Sequence, residues 1–164
     1  MQSLRMRVSG FALLVGLMLS GCATPSRTSV QTNAPQWQGR LSVQVLGDAP
    51  SAMSASFLLR GNAQNGELDL YSPLGITLGA LQWTPQRVQF TDGSKQQDFS
   101  SLAELTEKTT GAALPIEAIF AWLQGRQATA PGWWADLTAA SQGSLVARRT
   151  APAPEVLLKI KLEP

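Results

Sequence analysis

Between Gly66 and Trp83 the sequence reads Gly-Glu-Leu-Asp-Leu-Tyr-Ser-Pro-Leu-Gly-Ile-Thr-Leu-Gly-Ala-Leu-Gln-Trp, a pattern that leaves few ways to fold. Leu68 and Leu70 alternate with Glu67 and Asp69, and Ile76, Leu78 and Ala80 recur at every second position on the far side. A period of two sends alternate side chains to opposite faces of an extended chain, so the stretch predicts two strands of a sheet with one apolar face. Ser72, Pro73 and Gly75 suit the first, second and fourth positions of a type I turn, which leaves Leu74 at the third. A leucine there points away from the sheet. It either folds back under a neighbouring loop or meets something apolar outside the molecule, and the pattern alone leaves both open.

The same alternation continues on both sides. Leu41, Val43 and Val45 lie on one face of a strand, and Met53, Ala55, Phe57 and Leu59 on one face of the next, with Gly47-Asp48-Ala49-Pro50 turning between them. After Trp83, Thr84 and Pro85 lead into Arg87–Thr91, and Asp92-Gly93 is a two-residue hairpin signal before a strand ending near Phe99. Six short strands in succession predict a meander. Ser101-Leu102-Ala103-Glu104 then has the spacing of a capping box, with Gly111 as the stop. A second helix has Pro115 in its first turn, an apolar stripe at Ile116, Ile119, Phe120 and Leu123, and Gly125 at its end. That stripe has to be buried, and the apolar face of the curved sheet is the partner of adequate size. Trp122 lies off the stripe and is expected against a neighbouring loop. Residues 128–144 predict at most one short strand. Gly143–Arg149 looks extended, and Val156, Leu158, Ile160 and Leu162 mark a final strand whose Lys159 and Lys161 read as a solvated edge.

The N-terminus sets the compartment. Arg5 and Arg7 precede the apolar run Phe11–Leu19, which is too short for a stop-transfer helix and reads as a signal peptide over residues 1–21. It ends Leu19-Ser20-Gly21-Cys22, which resembles the lipobox of bacterial lipoproteins and so implies lipidation of Cys22, the sole cysteine. Residues 22–36 are rich in Ser, Thr and Pro and read as a disordered tether, about 45 to 50 Å when fully stretched and about 20 Å as a coil. Alanine rather than aspartate follows the cysteine, which in the sorting scheme of such lipoproteins implies the outer membrane, facing the periplasm. Cleavage also removes Arg5 and Arg7, leaving 11 basic residues against 11 acidic ones, so charge offers nothing to a nucleic acid.

Catalytic options are few. The chain has no histidine, and its one cysteine is assigned to lipid, which excludes imidazole or thiolate metal sites and Cys or Ser-His nucleophiles. Glu67 with Asp69, or Asp92 with Asp98, are the carboxylate pairs available for glycoside chemistry, yet alternation and turn positions already account for both. No catalytic residue, metal ligand or cofactor is expected.

With the lipobox and tether come Trp37-Gln38-Gly39-Arg40-Leu41-Ser42-Val43, Ala55-Ser56-Phe57, the Leu70-Tyr71-Ser72-Pro73-Leu74-Gly75 tip, and Leu114-Pro115-Ile116 opening a helix that ends Trp122-Leu123-Gln124-Gly125. In that order, from Cys22 to Gly125, the chain resembles the LolB family of outer-membrane lipoprotein receptors. The resemblance implies a mainly β fold with two or three short helices: an unclosed antiparallel half-barrel over residues 37–164, whose helices cover a hydrophobic cavity. It implies that acyl chains of lipoproteins, brought by the periplasmic carrier LolA, enter the cavity and then pass into outer-membrane lipid, and that the receptor is a monomer. The leucine of the family's Pro-Leu-Gly tip engages the membrane; here that is Leu74. The cavity is then expected to be lined by Leu41, Val43, Phe57, Leu59, Leu68, Leu70, Ile76, Leu78, Ile119, Phe120 and Leu123. One departure is that the part after Gly125 is shorter than the family leads one to expect, poorer in strand, and without a tryptophan in its last strand. A lipid-anchored protein binding a free lipid or small apolar ligand would share the sheet and anchor, whereas a structural lipoprotein would fill its interior.

Overall fold

A computed structural model describes residues 34–164. Cys22, the signal peptide and most of the tether fall outside the described residues. Six strands come first: β1 (Gln36–Leu46), β2 (Ser51–Gly61), β3 (Gly66–Tyr71), β4 (Thr77–Thr84), β5 (Arg87–Asp92) and β6 (Lys95–Phe99). Two helices follow, α1 (Leu102–Thr110) and α2 (Ile116–Leu123), then β7 (Trp133–Asp136), a 3₁₀ turn at Ala140–Gln142, β8 (Ser144–Arg149) and β9 (Glu155–Leu162). All nine strands form one antiparallel sheet in the order β6-β5-β4-β3-β2-β1-β9-β8-β7. Its ends, β6 and β7, do not pair with each other, so the barrel stays open.

The meander keeps the predicted order because each connection is a short turn. One loop shifts by a residue: Asp92 pairs with Lys95, so Gly93 and Ser94, rather than Asp92 and Gly93, make the turn. The C-terminal part holds the strands its patterns mark: one short one within residues 128–144, the extended run up to Arg149 and the final apolar one. It supplies three strands, and β9 docks beside β1 through pairs such as Val43 with Leu158, so that the last strand completes the wall begun by the first. Lys159 and Lys161 are therefore not on an edge. They alternate with buried Leu158 and Ile160 on a central strand, exposed on its convex face.

The helices form where local chemistry caps them. In α1, Ser101 Oγ accepts the Glu104 N–H at 3.1 Å, the Glu104 carboxylate reaches back to the Ser100 N–H and hydroxyl, and Gly111 stops the helix in the left-handed region at φ 85°. Those contacts hold the Glu104 carboxyl down at about 2, the Ser100 hydroxyl first and Lys108 next. Pro115 is the N-cap of α2 rather than part of its first turn. α2 buries Ala118 to Trp122, because the sheet covers one side and the segment before β7 the other. Trp122 is 1% exposed, with Nε1 donating to the Ala128 carbonyl at 3.1 Å and its ring 6.4 Å from Trp133.

Candidate functional site

The concave face is filled unevenly. Towards β7 and β8, Trp122, Ala135, Leu145 and Ala147 belong to the packed core with Trp133 packed against it, and none of them lines the apolar cavity on this face. Under β1 to β5, the same face encloses a cavity of about 240 Å³ roofed by α1, α2 and the turn between them. An apolar cavity of about 150 Å³ stays dry and takes up benzene, so this one has room for part of a hydrocarbon chain.

Ten of the eleven residues assigned to this cavity from the sequence line it: Leu41 and Val43 from β1, Phe57 and Leu59 from β2, Leu68 and Leu70 from β3, Leu78 from β4, and Ile119, Phe120 and Leu123 from α2. Ile76 does not. It is 63% exposed beside the hairpin tip, because β4 begins only at Thr77 and Ile76 lies out beyond it next to the turn, while a bulge shifts the rest of the strand. Leu70 pairs with Gly79 and Tyr71 with Thr77, leaving Leu78 as the extra residue. The buried face of β4 is consequently Gly79, Leu81 and Trp83, and Ala80 falls on the other side.

Several lining residues were missed. Leu81, Trp83 and Phe90 follow from the bulge, since a one-residue shift exchanges the faces of a strand. Leu158 and Ile160 were on a recognised apolar face, but nothing local places β9 beside β1. Leu102 and Leu105 come from a helix with only two large apolar residues, a weak signal.

The chemistry of the lining is uniform. Among the described residues no charged one borders the cavity, and the polar ones that do, Thr106, Thr109 and Thr110, spend their hydroxyls on backbone. Thr109 Oγ1 donates to the Leu105 carbonyl at 2.9 Å, Thr106 Oγ1 donates to Ala103 and accepts the Leu114 N–H, and Thr110 Oγ1 lies 2.7 Å from the Thr106 carbonyl. Their hydroxyl protons are therefore already committed, and among the described residues the lining offers an apolar ligand more than a polar one. Phe120 is fixed between Trp37 and Trp83, with ring centroids 5.6 and 6.2 Å away, and the Trp83 Nε1 is satisfied by the Asn62 carbonyl.

The tip beside the cavity is a built turn. The Gly75 N–H donates to the Ser72 carbonyl at 2.9 Å, and Ser72 Oγ accepts from the N–H groups of Leu74 and Ile76. Leu74 is 88% exposed at its apex, so it does not fold back under a loop. The candidate carboxylates lie elsewhere in ordinary pairings. Glu67 accepts from Arg60 at 2.6 Å, and Asp98 is bound by Arg87 and Gln89, which hold its carboxyl below the usual range, the opposite of what a general acid needs. Among the described residues no helix is long and apolar enough to cross a membrane.

An open antiparallel half-barrel, with helices roofing an apolar cavity and a bare leucine on an adjoining hairpin, defines a class of β proteins built around an internal apolar cavity. A family model described as outer membrane lipoprotein LolB matches residues 34–151, and the chain belongs to that family. It is similar to the outer-membrane lipoprotein LolB of Cupriavidus necator, 32% identical over 127 residues, covering 73% of this chain and 64% of the relative. The Cupriavidus metallidurans protein of the same name is 31% identical over 144 residues, 84% of this chain and 70% of its own length. That of Bordetella petrii is 27% identical over 184 aligned positions, 94% and 92% of the two chains. The chain thus spans less than two thirds of the Cupriavidus necator relative's length.

Proposed function

We propose that this protein is an outer-membrane receptor, anchored through lipid on Cys22 and facing the periplasm, which takes the acyl chains of lipoproteins from the carrier LolA and releases them into the membrane. The observation that carries the reading is the cavity: an apolar space with every nearby hydroxyl already engaged suits chains that share no polar feature except their hydrocarbon. Family membership supports the cargo and the carrier, and the exposed Leu74 supports contact with lipid. Release needs no nucleotide if affinity falls from carrier to receptor to bilayer, since hydrocarbon gains as each methylene leaves water.

The test is a transfer assay. LolA loaded with an acylated lipoprotein is mixed with the full-length protein, and cargo is followed first onto the receptor and then into liposomes. Cargo that passes to the receptor only when LolA delivers it supports the reading; a folded receptor that takes no cargo from LolA sinks it. A store for free lipid would instead load without LolA.

A further inference from the structure

Five large apolar side chains are exposed among the described residues, and three of them, Leu74, Ile76 and Leu78, follow at two-residue spacing from the apex of one hairpin down its second arm. Simple alternation would place Ile76 and Leu78 on the convex face, opposite Gly79, Leu81 and Trp83. The bulge reverses this. Tyr71 pairs with Thr77, and Leu70, its neighbour, faces the cavity; Ile76, the neighbour of Thr77, therefore falls on the side of Leu70. Leu78, the extra residue, borders the cavity itself and is still 43% exposed. Pairing also continues past the named strands, with the Ser72 N–H donating to the Ile76 carbonyl at 2.8 Å, so Ile76 sits on an ordered arm. No charged residue occurs from Leu70 to Gln86.

We propose that Ile76 and Leu78 form an apolar track along which an acyl chain passes between the cavity and a lipid surface at Leu74, with the bulge as the device that turns the track to the concave side. The proposal rests on the receptor reading above and adds the exit route. A chain leaving an apolar cavity through open water would wet every methylene it withdraws, so a continuous apolar wall beside the exit lowers the barrier. The occupant is hydrocarbon because the wall begins in the cavity lining, ends at the exposed leucine and carries no charge between.

The test uses the full-length protein preloaded with a fluorescent diacylated lipopeptide and mixed with phosphatidylethanolamine and phosphatidylglycerol vesicles holding an energy-transfer acceptor. Ile76→Thr keeps a β-branched residue while removing apolar contact, and Ile76→Val restores the contact. Ile76→Thr is expected to release the probe about tenfold more slowly, about 1.4 kcal/mol of barrier, with probe affinity and vesicle binding within about twofold of wild type and Ile76→Val close to wild type. Release at the wild-type rate overturns the track, as does a slowing matched by an equal loss of probe affinity. Loss of vesicle binding with unchanged release per bound molecule would make Ile76 a second insertion residue and also overturn it. If the wild type takes up no probe, the receptor reading falls and the track with it, a failure seen before any variant is compared.

Discussion

Replacing Leu74 with glutamate separates what the hairpin tip does for the fold from what it does at a membrane. Leu74 is 88% exposed, so about one eighth of its surface touches protein, and losing those contacts costs about 0.2 to 0.4 kcal/mol of stability. A loss of that size lowers the melting temperature by about 1 to 2 °C. On entering an apolar phase the exposed remainder is worth about 1.3 to 2.6 kcal/mol, about ten- to eightyfold in a rate that depends on insertion. A carboxylate adds a desolvation penalty on top. In the transfer assay, Leu74→Glu should accept cargo from LolA as the wild type does and deliver it to liposomes at least about tenfold more slowly. Delivery at the wild-type rate would refute this reasoning, and so would a fall in melting temperature of about 5 °C or more, which would show the tip to be ordinary packing.

Cys22→Ala should give a protein without lipid that no longer fractionates with the membrane, and mass spectrometry of the mature N-terminus decides it. Leu70→Asp, a charge on the cavity wall, should abolish uptake of an apolar fluorescent probe while Leu70→Met retains it; probe binding by the folded aspartate variant would show that the cavity is not the site. Gly79→Ala should cost about 1 to 3 kcal/mol in denaturant unfolding, because the new Cβ would lie 2.6 Å from two ring carbons of Phe90, and Phe90→Leu in the same chain should recover most of the loss. Glu104 titrates at about 2 in the folded protein against an ordinary 4.5, so the stability it adds relative to Glu104→Gln is complete above 4.5 and fades as pH falls towards 2. Thermal melts of the two proteins at pH 6 and pH 2.5 should differ more at the higher pH.

Much of the fold follows from short-range signals. The period-two runs of β1 and β2, the Ser72–Gly75 turn and the Ser101 cap are decided by residues within about four positions of one another, and each is found where its pattern lies. Two features are not local. The bulge at Leu78 adds one residue to an otherwise regular alternation, with Gly79 beside it as the one local mark; it puts Leu81 and Trp83 on the cavity side together with Leu78 and leaves Ala80 on the other. Docking of β9 against β1 joins residues more than a hundred positions apart, as Val43 to Leu158, and is settled by which apolar faces remain uncovered once the meander is formed. The cavity was legible in the residues that line it on β1 to β3 and α2. Its emptiness was not, because alternation counts apolar residues on a face without measuring the space they leave.

The register of β1 carries a consequence for how the molecule would hang from the anchor proposed at Cys22. Gln36 pairs with Arg60, and the Pro35 carbonyl accepts the Gly61 N–H at 3.0 Å, so the chain enters the sheet beside the turn that joins β2 to β3. Leu74 lies at the opposite end of the β3–β4 hairpin, eight residues beyond Gly66, about 26 Å away along an extended strand. Thirteen residue steps separate Cys22 from Pro35, a span of at most about 43 to 47 Å. For lipid on Cys22 and the leucine to meet one bilayer, the leash has to double back along the domain, and only about 20 Å of slack is left over. On the proposed anchoring, leash length would set orientation: shorten it by about six residues and the protein could still be tethered, but only a taut leash would let it stand on its tip.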